Sequence, residues 1–204
     1  MLNNIVSKAF CINLYFRQDR WQSAASQFSK QGLNVERFNA IDGREFKTKY
    51  QAKPGNCGCN LSHFLIIQQA KMMGLDAIMV FEDDVILREL FVKKMDDILA
   101  DLPEQWDMLL LGGSHRKPAT PVTDKIYQCH ETYCSHAYIM HWTAYDFFLQ
   151  RLQNFDQPMD CFFPELQAQG YCFVTNPPMA WQQESYSDIE GRVMRYDHLK
   201  SNEQ

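Results

Sequence analysis

Three carboxylates stand in a row at Glu82-Asp83-Asp84, directly after the unbroken apolar run Ala77-Ile78-Met79-Val80-Phe81. A short continuous apolar run of this kind reads as a strand buried on both faces. The acids then fall at its carboxyl end, where open α/β sheets bind ligands. In an extended chain Glu82 and Asp84 share one face and Asp83 takes the other. Adjacent carboxylates repel, and beside a buried strand they are costly unless a cation or hydrogen-bond donors compensate. Oxygen-only ligands suit a hard divalent ion, Mg²⁺ or Mn²⁺. The competing reading is a solvated acidic turn.

Two further carboxylates could act as a base. Asp160 follows Pro158 in the otherwise apolar segment Met159 to Phe163, where burial would raise its pKa and its basicity. A helix N-cap would also suit an Asp there. Asp188, in Ser187-Asp188-Ile189-Glu190-Gly191, is the second candidate, as base or metal ligand.

The elements that must position these groups alternate in type. A strand at 10–15 leads to a helix from Gln18 to Gln31, stopped by Gly32. A second strand, 33–38, ends in Asn39-Ala40-Ile41-Asp42-Gly43, and Pro54-Gly55-Asn56 marks a loop. A helix over 58–73, the acidic strand, a helix from 87 to 100 and a buried strand over 106–113 complete the first half. That order predicts an α/β layered fold with a mostly parallel central sheet. The second half is less regular, with short strands near 126–129, 135–140 and 171–175, two helical stretches, and a polar, solvated tail from 182.

At 204 residues the chain reads as one domain, with a regular half over 8–113, a less regular half over 114–190 and a tail over 191–204. A net charge of −5 and a pI near 5.7 argue against a general nucleic-acid binder. No apolar run reaches the length of a membrane span, and Met1 to Phe10 lacks the apolar core of a signal peptide. The expectation is a cytoplasmic protein, with peripheral contact to the cytoplasmic membrane allowed, whose seven cysteines are reduced. A structural zinc on Cys57, Cys59, Cys129 and Cys134 is the weaker alternative.

In joint order, several segments resemble glycosyltransferase family 25, which includes lipooligosaccharide and collagen galactosyltransferases. They are Ile12-Asn13-Leu14 with Arg17 and Arg20, Arg37 to Gly43, Gly58 to His63, Glu82 to Val85, and Trp106 to Gly112. Ala137-Tyr138-Ile139, Pro158-Met159-Asp160 and Ser187-Asp188-Ile189 follow. The resemblance implies a GT-A-type fold, a UDP-sugar donor (galactose or glucose foremost), a divalent metal and inversion at the anomeric carbon. It also implies a glycan or lipooligosaccharide acceptor, a role in lipopolysaccharide biosynthesis, a nucleotide-binding half over 8–113, an acceptor-side half over 114–190, and a donor-sugar contact as a further role open to Asp188.

On that footing Glu82 and Asp84 are the metal pair, and Asp83 joins the nucleotide-sugar contacts with Asn13. Arg17 and Arg20 could meet phosphate or uridine bidentately, or stand as solvated helix-start arginines. Asp42 and Gly43 could meet the nucleoside or merely form a turn. Ser62 and His63, neighbours on a helix, do not face each other and cannot form a dyad, so they are expected to line the donor pocket. A catalytically inert nucleotide-sugar or glycan binder of the same fold is the rival, and a metal-dependent phosphoesterase a third reading without enough ligands.

Overall fold

The computed structural model describes residues 2–45, 53–154, 157–189 and 191–200. Its centre is an eight-stranded sheet. In chain order the strands are β1 (Lys8–Asn13), β2 (Glu36–Asn39), β3 (Ala77–Glu82), β4 (Met108–Leu110), β5 (Thr120–Pro121), β6 (Ile126–Gln128), β7 (Ala137–His141) and β8 (Cys172–Thr175). Across the sheet they run β2-β1-β3-β7-β4-β8-β6-β5. β1 is parallel to β2 and β3, and β4 to β8. β7 is antiparallel to both β3 and β4, β6 to β8, and β5 to β6. Six of the eight strands therefore share one direction, as the alternation of elements predicts. β7, from the second half of the chain, lies between β3 and β4 of the first, so both halves build one sheet.

Helices α1 (Gln18–Gln31), α2 (Pro54–Met72), α3 (Phe91–Ala100) and α4 (Tyr145–Arg151) cover the faces. The two-residue period of β3 divides its apolar run between them. Ala77, Met79 and Phe81 pack with Phe28 of α1 and with Phe91 and Met95 of α3. Ile78 and Val80 pack with Ile66 and Ile67 of α2 and with Tyr145 and Phe148 of α4. Phe81 is fully buried, its ring 5.0 Å from Phe28 and 6.2 Å from Phe91 between centroids. Burial of such a side chain stabilises the fold by roughly 1.5–3 kcal/mol, which fixes the register that delivers the acids.

The strand boundaries shift by a few residues from the sequence reading (Lys8–Asn13, Glu36–Asn39 and Met108–Leu110), and three larger departures bear on the site. α2 starts at Pro54, because a proline at the first helical position costs no backbone hydrogen bond. α3 starts at Phe91 rather than near 87, because Val85–Leu87 pairs antiparallel with Ala180–Gln182. The segment after 182 is not a solvated tail: Ser185–Ser187 and Arg192–Met194 form a hairpin, and Leu199 is fully buried. No helix among the described residues is long and apolar enough to cross a membrane.

Candidate active site

β3 ends at Glu82, and the next two residues turn beside the ends of β1 and β2 to floor a cleft. The cleft encloses about 860 Å³, solvent at its mouth included, and is closed on its far side by the segment 187–189. Arg20, Asp42, Gly43, Glu82, Asp83, Asp84 and Asp188 all line it. The sequence reading thus places seven of its candidates around one space.

The three acids have different partners. Asp83 accepts from Asn13 Nδ2 at 2.6 Å and from Arg20 Nη1 at 2.8 Å. Burial raises its carboxyl pKa, with Arg20 and Asn13 opposing. Glu82 Oε1 accepts from Ser135 Oγ at 2.7 Å and lies 3.6 Å from His63 Nε2. Burial opposes its ionisation, but His63 and the Ser135 hydroxyl outweigh it and hold the carboxyl below its ordinary range. Asp84 has only a long contact to Gln182 Nε2, 3.3 Å, and a more distant one to Arg20 Nη1, 3.8 Å, both at Oδ2. Burial, and then the charge of Glu82, push its carboxyl up to about 7. Asp84 Oδ1 is buried with no hydrogen-bond partner. An orphaned carboxylate oxygen beside a second carboxylate fits a hard cation, which would satisfy it.

Asn13 is a positioning residue. Its Oδ1 accepts from Arg37 Nε at 2.9 Å and Nη2 at 2.5 Å, while its Nδ2 also reaches Arg17 O at 3.0 Å. Arg20 ties the acids to the C-terminal hairpin, donating through Nη2 to Ser185 Oγ at 2.8 Å and to Tyr186 O at 2.7 Å. Arg17 pairs with Asp188 and with Asp19, the latter at 2.9 Å. Both arginines are therefore committed to protein partners, not solvated.

The family profile described as Glycosyltransferase family 25 (LPS biosynthesis protein) matches residues 6–163, from β1 through the Asp160 segment. The chain belongs to glycosyltransferase family 25. Among curated relatives, procollagen galactosyltransferase 2 of Mus musculus is 25% identical over 134 residues, covering 55% of this chain and 21% of its own. Inactive glycosyltransferase 25 family member 3 of Mus musculus is 26% identical over 137 residues, covering 56% of this chain and 23% of its own. This chain thus spans about a quarter or less of the length of these relatives. Among solved structures, a glycosyltransferase involved in glycosylation of the major capsid of PBCV-1 superposes with a TM-score of 0.52 at 10% identity, covering 82% of this chain and 79% of that one. The likeness bears out the GT-A-like α/β fold. One mouse relative is described as a galactosyltransferase and the other as inactive, so membership of the family does not by itself carry activity.

In this family 25 chain Ser62, His63 and Asp160 lie outside the cleft lining. Ser62 is buried, donates to Gly58 O at 2.7 Å and accepts from Ile41 N–H at 2.9 Å, which anchors the segment after β2 to α2. His63 is buried with Nδ1 2.8 Å from the Tyr138 hydroxyl. Gly43 lines the cleft, yet its smallness is demanded from behind, since a Cβ there would lie 1.6 Å from Pro54 O. Asp42 is held below the usual carboxylate range by Arg44. Asp160 is not the N-cap, a position Pro158 takes, but accepts from Cys134 N–H at 3.1 Å. Burial raises its carboxyl against that hydrogen bond, and the charge of Glu82 raises it further.

No cysteine among the described residues is joined in a disulfide. Among the described residues the group able to hold a metal by proximity is Cys59, His63 and Glu82, not the four cysteines considered from sequence. The signal for it is present in the chain: Cys59 and His63 are four apart on a helix and so share a face.

Proposed function

We propose that this chain transfers a hexose, galactose or glucose, from a UDP-sugar to a hydroxyl of a glycan or lipooligosaccharide. The observation that carries this is the buried, unpartnered Asp84 Oδ1 beside Glu82 on the floor of a cleft, in a chain of this family. Glu82 and Asp84 would hold Mn²⁺ or Mg²⁺, which as a Lewis acid would neutralise the departing diphosphate. Asp42, at the mouth of β2, would accept from the nucleoside, and Asp188 from the donor sugar. Asp83, locked by Asn13 and Arg20, keeps the acidic turn in shape.

Transfer then needs the acceptor hydroxyl to lose its proton as its oxygen attacks the anomeric carbon. The bond to the diphosphate breaks on the opposite face, so configuration inverts. Asp160 would take the proton, and UDP leaves with the bond's electron pair.

Isothermal titration of UDP with Mn²⁺ and with EDTA tests the metal role. Asp84→Asn should weaken binding in Mn²⁺ and leave binding in EDTA nearly unchanged. Equal loss in both would remove Asp84 from the metal. A panel of UDP-sugars with Mn²⁺, read as released UDP, should give turnover with one or two donors.

The rival, an inert binder of the same fold, is favoured by one contact: Arg20 lies against Asp83 and within 3.8 Å of Asp84, so the protein supplies some of the acids' countercharge itself. Tight UDP binding without UDP release from any donor would establish that reading instead.

A further inference from the structure

We infer that Cys59 Sγ, His63 Nε2 and Glu82 Oε1 form a second metal site, for a borderline-soft divalent ion of the Zn²⁺ class, with its fourth position open to the cleft. The three residues bring ligand atoms within 4.8 Å of one another. The His63 Nε2 to Glu82 Oε1 distance, 3.6 Å, already matches the spacing of two ligands on one tetrahedral zinc, which is about 3.4 Å for bonds of about 2.1 Å. His63 is completely buried and its Nε2 has no hydrogen-bond partner. A buried imidazole nitrogen whose nearest polar contact, Glu82 Oε1 at 3.6 Å, is beyond hydrogen-bond reach is poorly satisfied without a ligand.

The surroundings fit as well. A metal-bound histidine usually gives its other ring N–H to an acceptor that fixes the tautomer, and the Tyr138 hydroxyl sits 2.8 Å from Nδ1 to accept it. Tyr138 is itself buried, its ring 5.7 Å from the imidazole. Cys59 and Glu82 both line the cleft, which supplies an entry path and room for a water as fourth ligand. A thiolate and an imidazole select Zn²⁺ or Co²⁺ over Mg²⁺ and Mn²⁺. On coordination the Cys59 thiol loses its proton to solvent.

The site does not depend on the transferase reading, since an inert binder would hold the same ion. Where the hard-ion site is used, Glu82 belongs to both, so zinc at Cys59–His63 competes with Mn²⁺ for that carboxylate.

The test is cobalt spectroscopy on the full chain after EDTA treatment. Addition of Co²⁺ should produce a near-ultraviolet thiolate-to-cobalt charge-transfer band and tetrahedral visible bands, and Zn²⁺ should abolish both. Cys59→Ser should lose the charge-transfer band, while Cys129→Ser retains it. Tyr138→Phe, which keeps the packing, should weaken cobalt affinity by roughly 10–100-fold. As a measurement independent of variants, Zn²⁺ should protect Cys59 from alkylation in the native protein, read by peptide mass spectrometry. A wild type without the band, a band that survives Cys59→Ser, or alkylation of Cys59 indifferent to zinc would each overturn the site. UDP titration in Mn²⁺ separates this outcome from failure of the transferase reading, because that titration does not require Cys59.

Discussion

Arg20 Nη1 lies 2.8 Å from Asp83 Oδ1, and each side chain is about 10% exposed. The pair stands between α1 and the acidic turn, and the same guanidinium reaches across to Ser185 and Tyr186. One residue thus couples the sheet end, the acids and the C-terminal hairpin.

Breaking this pair from one side leaves an uncompensated buried charge, which typically costs about 3–5 kcal/mol. Arg20→Met should lower the urea midpoint sharply. Adding Asp83→Asn should recover much of that loss, since a neutral amide can still hydrogen-bond Asn13. Urea unfolding of the two single variants and the double variant gives the cycle. Strictly additive losses would mean that the contact carries no coupling and that Arg20 acts through the hairpin alone.

The acid cluster also gives stability a pH dependence with a definite sign. In the folded protein Asp84 holds its proton up to about 7, because burial and then Glu82 disfavour its charge. An unfolded chain releases that proton near 3.9. Between those values the folded state binds a proton that the unfolded state lacks, so this group's contribution to stability falls as pH rises. In EDTA, wild type should therefore lose stability between about pH 4 and 7 relative to Asp84→Asn, in which the slope from this group is gone. Parallel stability curves for the two proteins across that window would contradict the assignment.

The strand and helix pattern was legible because long apolar runs such as Ala77–Phe81 and the α1 period report burial directly. The acids at the end of β3 were legible for the same reason. The antiparallel insertion of β7 between β3 and β4 was not, since no local pattern in Ala137–His141 encodes its neighbours. The hairpin after 182 was missed because its order comes from Arg20, more than 160 residues away in sequence. Arg17 and Arg20 follow the first strand as expected for phosphate contacts, but only tertiary structure reveals that Asp188 and Asp83 already claim them.

Gly58 tests how tightly α2 abuts the segment after β2. Alanine in a helix interior gains roughly 0.5–1 kcal/mol over glycine from propensity. A Cβ at Gly58 would lie 2.3 Å from Ile41 O and 3.1 Å from Gly43 Cα, both backbone, which cannot rotate away. Overpacking of this kind costs about 1–3 kcal/mol or more, so the clash wins. Gly58→Ala should lower the melting temperature by several degrees, and UDP affinity should fall as Asp42 and Gly43 shift. A more stable Gly58→Ala protein would show that the approach is looser than the geometry states.

The choice of base between Asp160 and Asp188 turns on their partners. Asp188 lies on the cleft wall with Oδ2 paired to the Arg17 guanidinium, which orients its carboxylate toward a contact with the donor sugar. Asp160 accepts from backbone N–H groups, those of Cys134 and of Asp160 itself, and burial nonetheless raises its carboxyl pKa. A carboxyl with a raised pKa is the stronger base once ionised, and two backbone bonds leave lone pairs free for an acceptor hydroxyl. General-base catalysis contributes roughly 10²–10⁴-fold. Asp160→Asn should therefore lower kcat by a factor in that range while UDP affinity in Mn²⁺ stays nearly constant. Since the base must be ionised, wild-type kcat should rise with pH through a limb above the ordinary carboxylate range, and that limb should vanish in Asp160→Asn. Asp188→Asn should instead weaken donor binding and leave the limb in place. Near wild-type turnover in Asp160→Asn, with activity lost in Asp188→Asn at saturating donor, would exchange the two roles.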